Sequence, residues 1–230
     1  MGDLKSIVDE YMGKAHGIEE MCTRCLKTER WGGNVTLMVV DAAFTSIGLN
    51  YFTAVVPKVD LFRREFVEAG RIKTLRDLAS SDPSEFLGVW KNRRSWDAAR
   101  GIASYLSSIC AGSDREALRS WARSSSLEDW RLDPIGRISG VGLVTYQYLR
   151  MMGGIDTVMP DKIVKRVINE MLVKAGEEPV DENMAFILKA EEIAKQAGYR
   201  PIDLCWMTWM IQPEGKIMRM DKYSGILSMI

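Results

Sequence analysis

What this sequence lacks narrows it before any motif is read. No stretch of its 230 residues approaches the roughly 20 consecutive apolar residues that a membrane-spanning helix requires. The opening residues, Met1 to Gly17, are charged and have no apolar centre, so they are not expected to be a secretory signal, and a soluble, intracellular protein with no membrane partner is the expectation. There is no net charge either: 31 basic residues balance 31 acidic ones, and a basic face for nucleic acid would have to come from local clustering. Lys91, Arg93, Arg94 and Arg100 lie in one stretch, and Arg137, Arg150, Lys162, Lys165 and Arg166 in another, though ordinary solvated charge reads the same way. Cysteine is scarce, at four residues (Cys22, Cys25, Cys110, Cys205), and His16 is the single histidine. A disulfide framework is not expected in a large intracellular domain. Cys22 and Cys25 have the C-x-x-C spacing of a zinc or redox site, but no second pair or nearby histidine completes a ligand set, so structural thiols and no zinc are expected. No internal repeat or low-complexity segment is present.

What is present is helical periodicity on a chain that is 47% hydrophobic, enough to bury a sizeable core in one domain or two small lobes. Apolar residues recur three and four apart over Asp3–Lys14, Ile18–Thr28, Val35–Phe44 and Tyr51–Ala69, with Gly70 as a terminator. Ser81-Asp82-Pro83 starts a short helix, because Ser caps well and Pro fits the first turn. The pattern continues over Ser95–Ile109 and Ser113–Arg123, separated by Ala111-Gly112, then over Val141–Met152 up to Gly153-Gly154 and Asp161–Lys174 before Gly176. Asp181 caps a helix reaching Gln196, and Ile202–Ile211 is bounded by Pro201 and Pro213. Val35–Val40 is the best strand candidate, yet the Asp41-Ala42-Ala43-Phe44 that follows suits a buried helix better. The expectation is an all-α protein with short loops.

The most informative stretch is 134–166, which reads as helix, glycine hairpin and helix, followed by a loop that delivers Asp161 at the start of another helix. Gly140 and Gly142 permit a tight turn and close approach of another molecule, while the unpaired N–H groups opening the next helix suit a phosphate. From spacing alone, Asp161 after Pro160 reads equally as a helix cap.

Ile138-Ser139-Gly140-Val141-Gly142-Leu143-Val144-Thr145-Tyr146, followed by Asp161-Lys162-Ile163-Val164-Lys165-Arg166-Val167, resembles the signature of the helix-hairpin-helix DNA glycosylase superfamily, the group that includes endonuclease III, MutY and the alkylbase glycosylases. Ala42 to Asn50 is similar to the early helix and loop of that group, and Leu87 to Ile102 to its Gly-containing turn and Ala-rich helix, so the resemblance spans residues 33–172. It implies a two-lobed all-α fold with a substrate cleft between lobes: a core over 33–172 containing the hairpin 134–152, and terminal segments 1–32 and 173–230 packing as the second lobe.

The same resemblance implies a function in base-excision repair on double-stranded DNA carrying a lesion or mismatch. Asp161 would be the catalytic carboxylate, stabilising an oxocarbenium-like sugar and orienting water, with a helix N-terminus behind it that complements negative charge. Bifunctional members carry a lysine where this sequence has Val144, so a monofunctional hydrolase without lyase activity is implied. Gly140, Gly142 and Thr145 would hold a phosphate, and the carbonyls of Gly136, Ile138 and Val141 a monovalent cation, Na+ or K+, when DNA is bound; no other cofactor is implied. Lys162 and Lys165 are candidate phosphate contacts. Asp41, Asn50, Trp206 and Trp209 are candidates for a base pocket, Asp41 reading equally as a local cap, while tryptophans three apart on a helix are more often core. Relatives often carry a Gln at the position of Ala43 to fill the gap left by the flipped base; Phe44, Asn50 and Tyr51 are the substitutes on offer, Phe44 reading more readily as core. With only Cys205 after Asp161, the four-cysteine iron–sulfur cluster of some members is not expected. A monomer is expected, and a non-catalytic DNA-binding protein of the same fold is the alternative.

Overall fold

The run Val35–Thr45 (α3) sets the architecture, because all eleven of its residues are buried and it must therefore be covered on every side. The computed structural model describes residues 3–45, 49–109, 112–213 and 224–230. Around α3 stand Val56–Phe62 (α4), Leu75–Ser80 (α5), Arg93–Ser108 (α6), Asp114–Ser124 (α7) and Leu143–Met152 (α8), each of which it touches. A second set of contacts joins Leu4–Gly13 (α1) to Lys162–Ala175 (α9) and Asn183–Ala197 (α10), and joins Pro201–Met210 (α11) to α9, α10 and Ile18–Leu26 (α2). The short Ser224–Leu227 (α12) closes the described chain. Among the described residues every regular element is helical, as the periodicity requires.

Local chemistry sets most boundaries. Ser113 and Glu116 form a capping box at α7, and Thr74 with Asp77 does the same at α5, a helix the periodicity did not reveal. Gly70, Gly176 and Gly198 end their helices with positive φ. The expected helix from Tyr51 to Ala69 runs as α4 flanked by wider π-helical turns at Tyr51–Val55 and Arg63–Val67. Two caps differ by one residue from expectation. Asp82, not Ser81, receives the Ser84 N–H at Pro83–Phe86, and Glu182, not Asp181, caps α10.

The larger correction is at the hairpin. Leu127 to Gly140 is a succession of turns rather than a helix leading into the glycines. Asp133 turns the chain by accepting the Ile135 N–H at 2.8 Å while its carboxylate also receives the Trp121 indole at 3.1 Å. Gly136 then passes so close to the Trp130 carbonyl that a Cβ there would lie 1.7 Å from its oxygen. Only a glycine fits, and the fold of this limb follows from that contact rather than from helical hydrogen bonding.

Aromatic rings fill the space on one side of α3. Phe44 stacks on Trp90 with centroids 4.4 Å apart and meets Trp96 edge-on, and Phe62, Phe66 and Phe86 continue the cluster. Phe44 is thus core and unavailable to fill a gap in a duplex. Ala43 is buried as well. Residues Ser46, Ile47 and Gly48 of the expected DNA-facing loop, and Cys110 and Ala111, lie outside the described residues.

Candidate functional site

The hairpin opens onto a groove of about 370 Å³ lined by Gly140, Val141, Gly142, Leu143, Val144 and Thr145. Gly140 has φ +93°, and its hydrogen faces α6, where a Cβ would come 3.2 Å from Ala98 Cβ and 3.3 Å from the Arg94 carbonyl. That contact seats the hairpin on the first turn of α6. Gly142 is the N-cap of α8 and offers no side chain to its amides, so the first N–H groups of that helix are left to another acceptor. Asn92, Arg94 and Ser95 from the start of α6, and Asn183 from the start of α10, complete the lining, so three helix N-termini converge there. Thr145 and Ser95 are buried, and neither hydroxyl has a hydrogen-bond partner among the described residues. Asn92, Ser95 and Asn183 were not among the expected site residues; Asn92, the cap of α6, was the available signal. Of the carbonyls expected to coordinate a cation, that of Ile138 already accepts the Val141 N–H at 3.0 Å.

Asp161 is half-buried at the N-terminus of α9. Its Oδ1 accepts the N–H groups of Ile163 at 2.8 Å and Val164 at 2.9 Å, and the Trp209 indole N–H at 3.3 Å. The cap reading holds: Oδ1 caps the helix, while Oδ2 accepts no hydrogen bond among the described residues. Asp161 does not itself line the hairpin groove. The connection runs through Lys165, one turn along α9, whose ammonium donates to the Asp181 carbonyl and to Asn183 Oδ1, on the rim of the groove. Lys165 is thus committed to protein, whereas Lys162 is exposed. Other basic candidates are also engaged. Arg100 donates to the Ala79 carbonyl, Arg150 to Gln147 and Ser125, and Arg166 to Gln212. Among the described residues Arg94, Arg137 and Lys162 form no ion pair.

Three of the four candidate pocket residues meet behind Asp161. Asp41, Trp206 and Trp209 are buried in one cluster with Tyr51, Tyr148, Trp31 and Arg30. Asp41 Oδ2 accepts from Arg30 Nη2 at 3.0 Å, the Trp31 indole at 2.8 Å, Tyr51 at 3.0 Å and Tyr148 at 3.2 Å. The Tyr51 ring stacks on Trp209, with centroids 4.7 Å apart and planes 18° apart, and Trp206 stands edge-on to Trp209 at 5.3 Å. The Arg30 guanidinium lies 4.7 Å from the Trp206 ring centre and 5.3 Å from that of Tyr148. Burial works against the Arg30 charge, but Tyr148, Tyr51 and Asp41 around it outweigh that penalty and raise its pKa. Burial also pushes the Tyr51 and Tyr148 hydroxyls up, so both remain protonated donors. Asn50 is different: its side chain accepts the Thr53 N–H at 2.9 Å and caps the turn that carries Tyr51.

The thiols of the C-x-x-C segment are packed, not displayed. Cys22 donates to the Ile202 carbonyl at 3.6 Å, and burial pushes the Cys25 thiol up to about 12. Among the described residues no three His, Cys, Asp or Glu side chains converge on one point. Among the described residues no helix is long and apolar enough to cross a membrane. Comparison with protein-family models, with curated proteins and with solved structures finds no match to this chain.

Proposed function

We propose that the protein is a monofunctional DNA N-glycosylase that hydrolyses the bond between a damaged or mismatched base and its deoxyribose, with a cleft between two sets of helices receiving double-stranded DNA. The observation that carries this reading is the state of Asp161. Two peptide N–H groups and an indole hold one oxygen, and among the described residues the other receives no donor. A fixed carboxylate beside C1′ stabilises the positive charge that grows as the C1′–N bond breaks. The bonding pair leaves with the base, water adds to C1′, and the proton it loses ends on the departing base. Val144, half-buried on the groove, supplies no amine for a Schiff base, which supports hydrolysis without strand cleavage.

The groove of the hairpin supports the DNA contact. Amides of the α8 start, with the Thr145 hydroxyl and Arg94 nearby, match a phosphate, and such a contact positions the duplex without reading its sequence. The test is a lesion panel scored separately for base loss and strand scission, with abasic sites revealed by alkali. Base loss without scission supports the reading. Inert protein that still prefers damaged duplex supports the alternative, a binder of the same fold.

A further inference from the structure

Resting on that reading, we propose that Arg30, Asp41 and Trp206 read the base, and that they select a neutral one presenting an N–H between two carbonyl oxygens. Uracil and thymine have this edge at O2, N3–H and O4. The purine 8-oxoguanine has it at O6, N7–H and O8.

Hydrogen-bond accounting in the buried cluster carries the argument. Among the described residues, Asp41 Oδ2 receives four donors while Asp41 Oδ1 receives none, and Arg30 Nε, Arg30 Nη1 and Trp206 Nε1 are buried donors without an N or O acceptor. Beyond Asp41 and Tyr51, the Cys25 sulfur is the one acceptor that Arg30 and Trp206 reach there among the described residues, and sulfur is a weak acceptor. Buried polar groups are ordinarily paired, and leaving them so is costly. What lacks a strong partner is one acceptor and three donors, a set that one N–H flanked by two carbonyls can satisfy. Charge points the same way. Arg30 already occupies the faces of Trp206 and Tyr148, so these rings have no place for a cationic base such as an N7-alkylated guanine, which the guanidinium would also repel.

Tyr51 is the group that a base replaces. Its ring lies on Trp209 in the geometry of stacked bases, its hydroxyl engages Arg30 and Asp41, and Trp209 in turn touches Asp161. A base on Trp209 therefore sits beside the candidate catalytic carboxylate, with its edge toward Arg30 and Asp41.

The experiment titrates the full chain with 2′-deoxyuridine, 8-oxo-2′-deoxyguanosine, 2′-deoxyadenosine and 7-methylguanosine while following indole N–H resonances. One or both of the first two shift Trp206 and Trp209, which separates the pyrimidine from the purine source; the other two leave them unmoved, and Trp96, bonded to the Trp90 carbonyl, serves as an internal reference. Tyr51→Phe keeps the stack and frees Arg30 and Asp41, so it tightens nucleoside binding by roughly 2- to 12-fold for each hydrogen bond that the base no longer has to displace. Equal shifts with 7-methylguanosine, no shift with either carbonyl-rich nucleoside, or weaker binding by a folded Tyr51→Phe overturns the inference. Base release from duplexes separates the two claims. The expected nucleoside pattern with no release from any duplex sinks the glycosylase reading and keeps the pocket, whereas release of 7-methylguanine but not of uracil, thymine or 8-oxoguanine does the reverse.

Discussion

Cutting the Arg30–Asp41 pair from one side should cost far more than removing both partners. The two side chains are fully buried with N and O 3.0 Å apart, and Asp41 also holds Trp31, Tyr51 and Tyr148. Replacing Asp41 by Leu strands a guanidinium among aromatic rings and unties three further donors. Breaking a buried pair in this way costs about 3–5 kcal/mol, a large part of the roughly 5–15 kcal/mol that holds a domain folded. For a chain of this size each kcal/mol moves Tm by about 2–4 °C, so Asp41→Leu should melt roughly 6–20 °C lower. Arg30→Met should behave similarly, since it leaves the carboxylate buried. The double variant removes both charges and should recover part of the loss. Urea unfolding of the four proteins, compared at constant slope, gives the coupling. Single losses below about 1 kcal/mol, or a double variant whose loss equals the sum of the singles, would refute the reasoning.

Two further outcomes follow from the geometry. Gly140→Ala places a Cβ at φ +93° and 3.2 Å from Ala98, so backbone strain of about 1–2 kcal/mol adds to a displaced hairpin; unfolding midpoints should fall and duplex binding should weaken together. For the buried Cys25 the sign is that of an acid whose folded pKa is raised. The unfolded thiol ionises from about 9, the folded one near 12, so the thiol's contribution is intact below pH 9 and declines by about 1.4 kcal/mol per pH unit between those values. Denaturation midpoints measured from pH 8 to 11 should drop more gently for Cys25→Ala than for the parent protein, and an equal drop rejects the assignment.

Apart from α5, the helices were legible from their apolar spacing, but three features were not. The limb before Gly140 alternates Pro134, Gly136 and Gly140 with apolar residues, which mimics a short helix, yet its shape is dictated by Asp133 bonding and by the Trp130 carbonyl lying against Gly136. Arg30 escaped notice because arginines are almost always solvated, and nothing local in Arg30-Trp31-Gly32-Gly33 marks it as buried. The signal lay eleven residues on. Asp41 interrupts an otherwise apolar helix with every residue covered, and a buried carboxylate demands a partner of opposite charge. The cluster of Asp41, Trp206 and Trp209 was legible as separate candidates; their meeting through Tyr51 and Tyr148 depends on tertiary packing that no local pattern encodes. Asn50 shows the converse, a polar residue beside the cluster whose amide is spent on its own turn.

The measurement closest to the central claim compares the parent protein with Asp161→Asn in single-turnover base release and in binding to the same lesion-bearing duplexes. Asparagine keeps an oxygen for the Ile163 and Val164 N–H groups, so α9 stays capped and the fold is preserved. The account predicts duplex affinity near that of the parent and release of the base slowed by about 100-fold or more. Unchanged release by Asp161→Asn would contradict it.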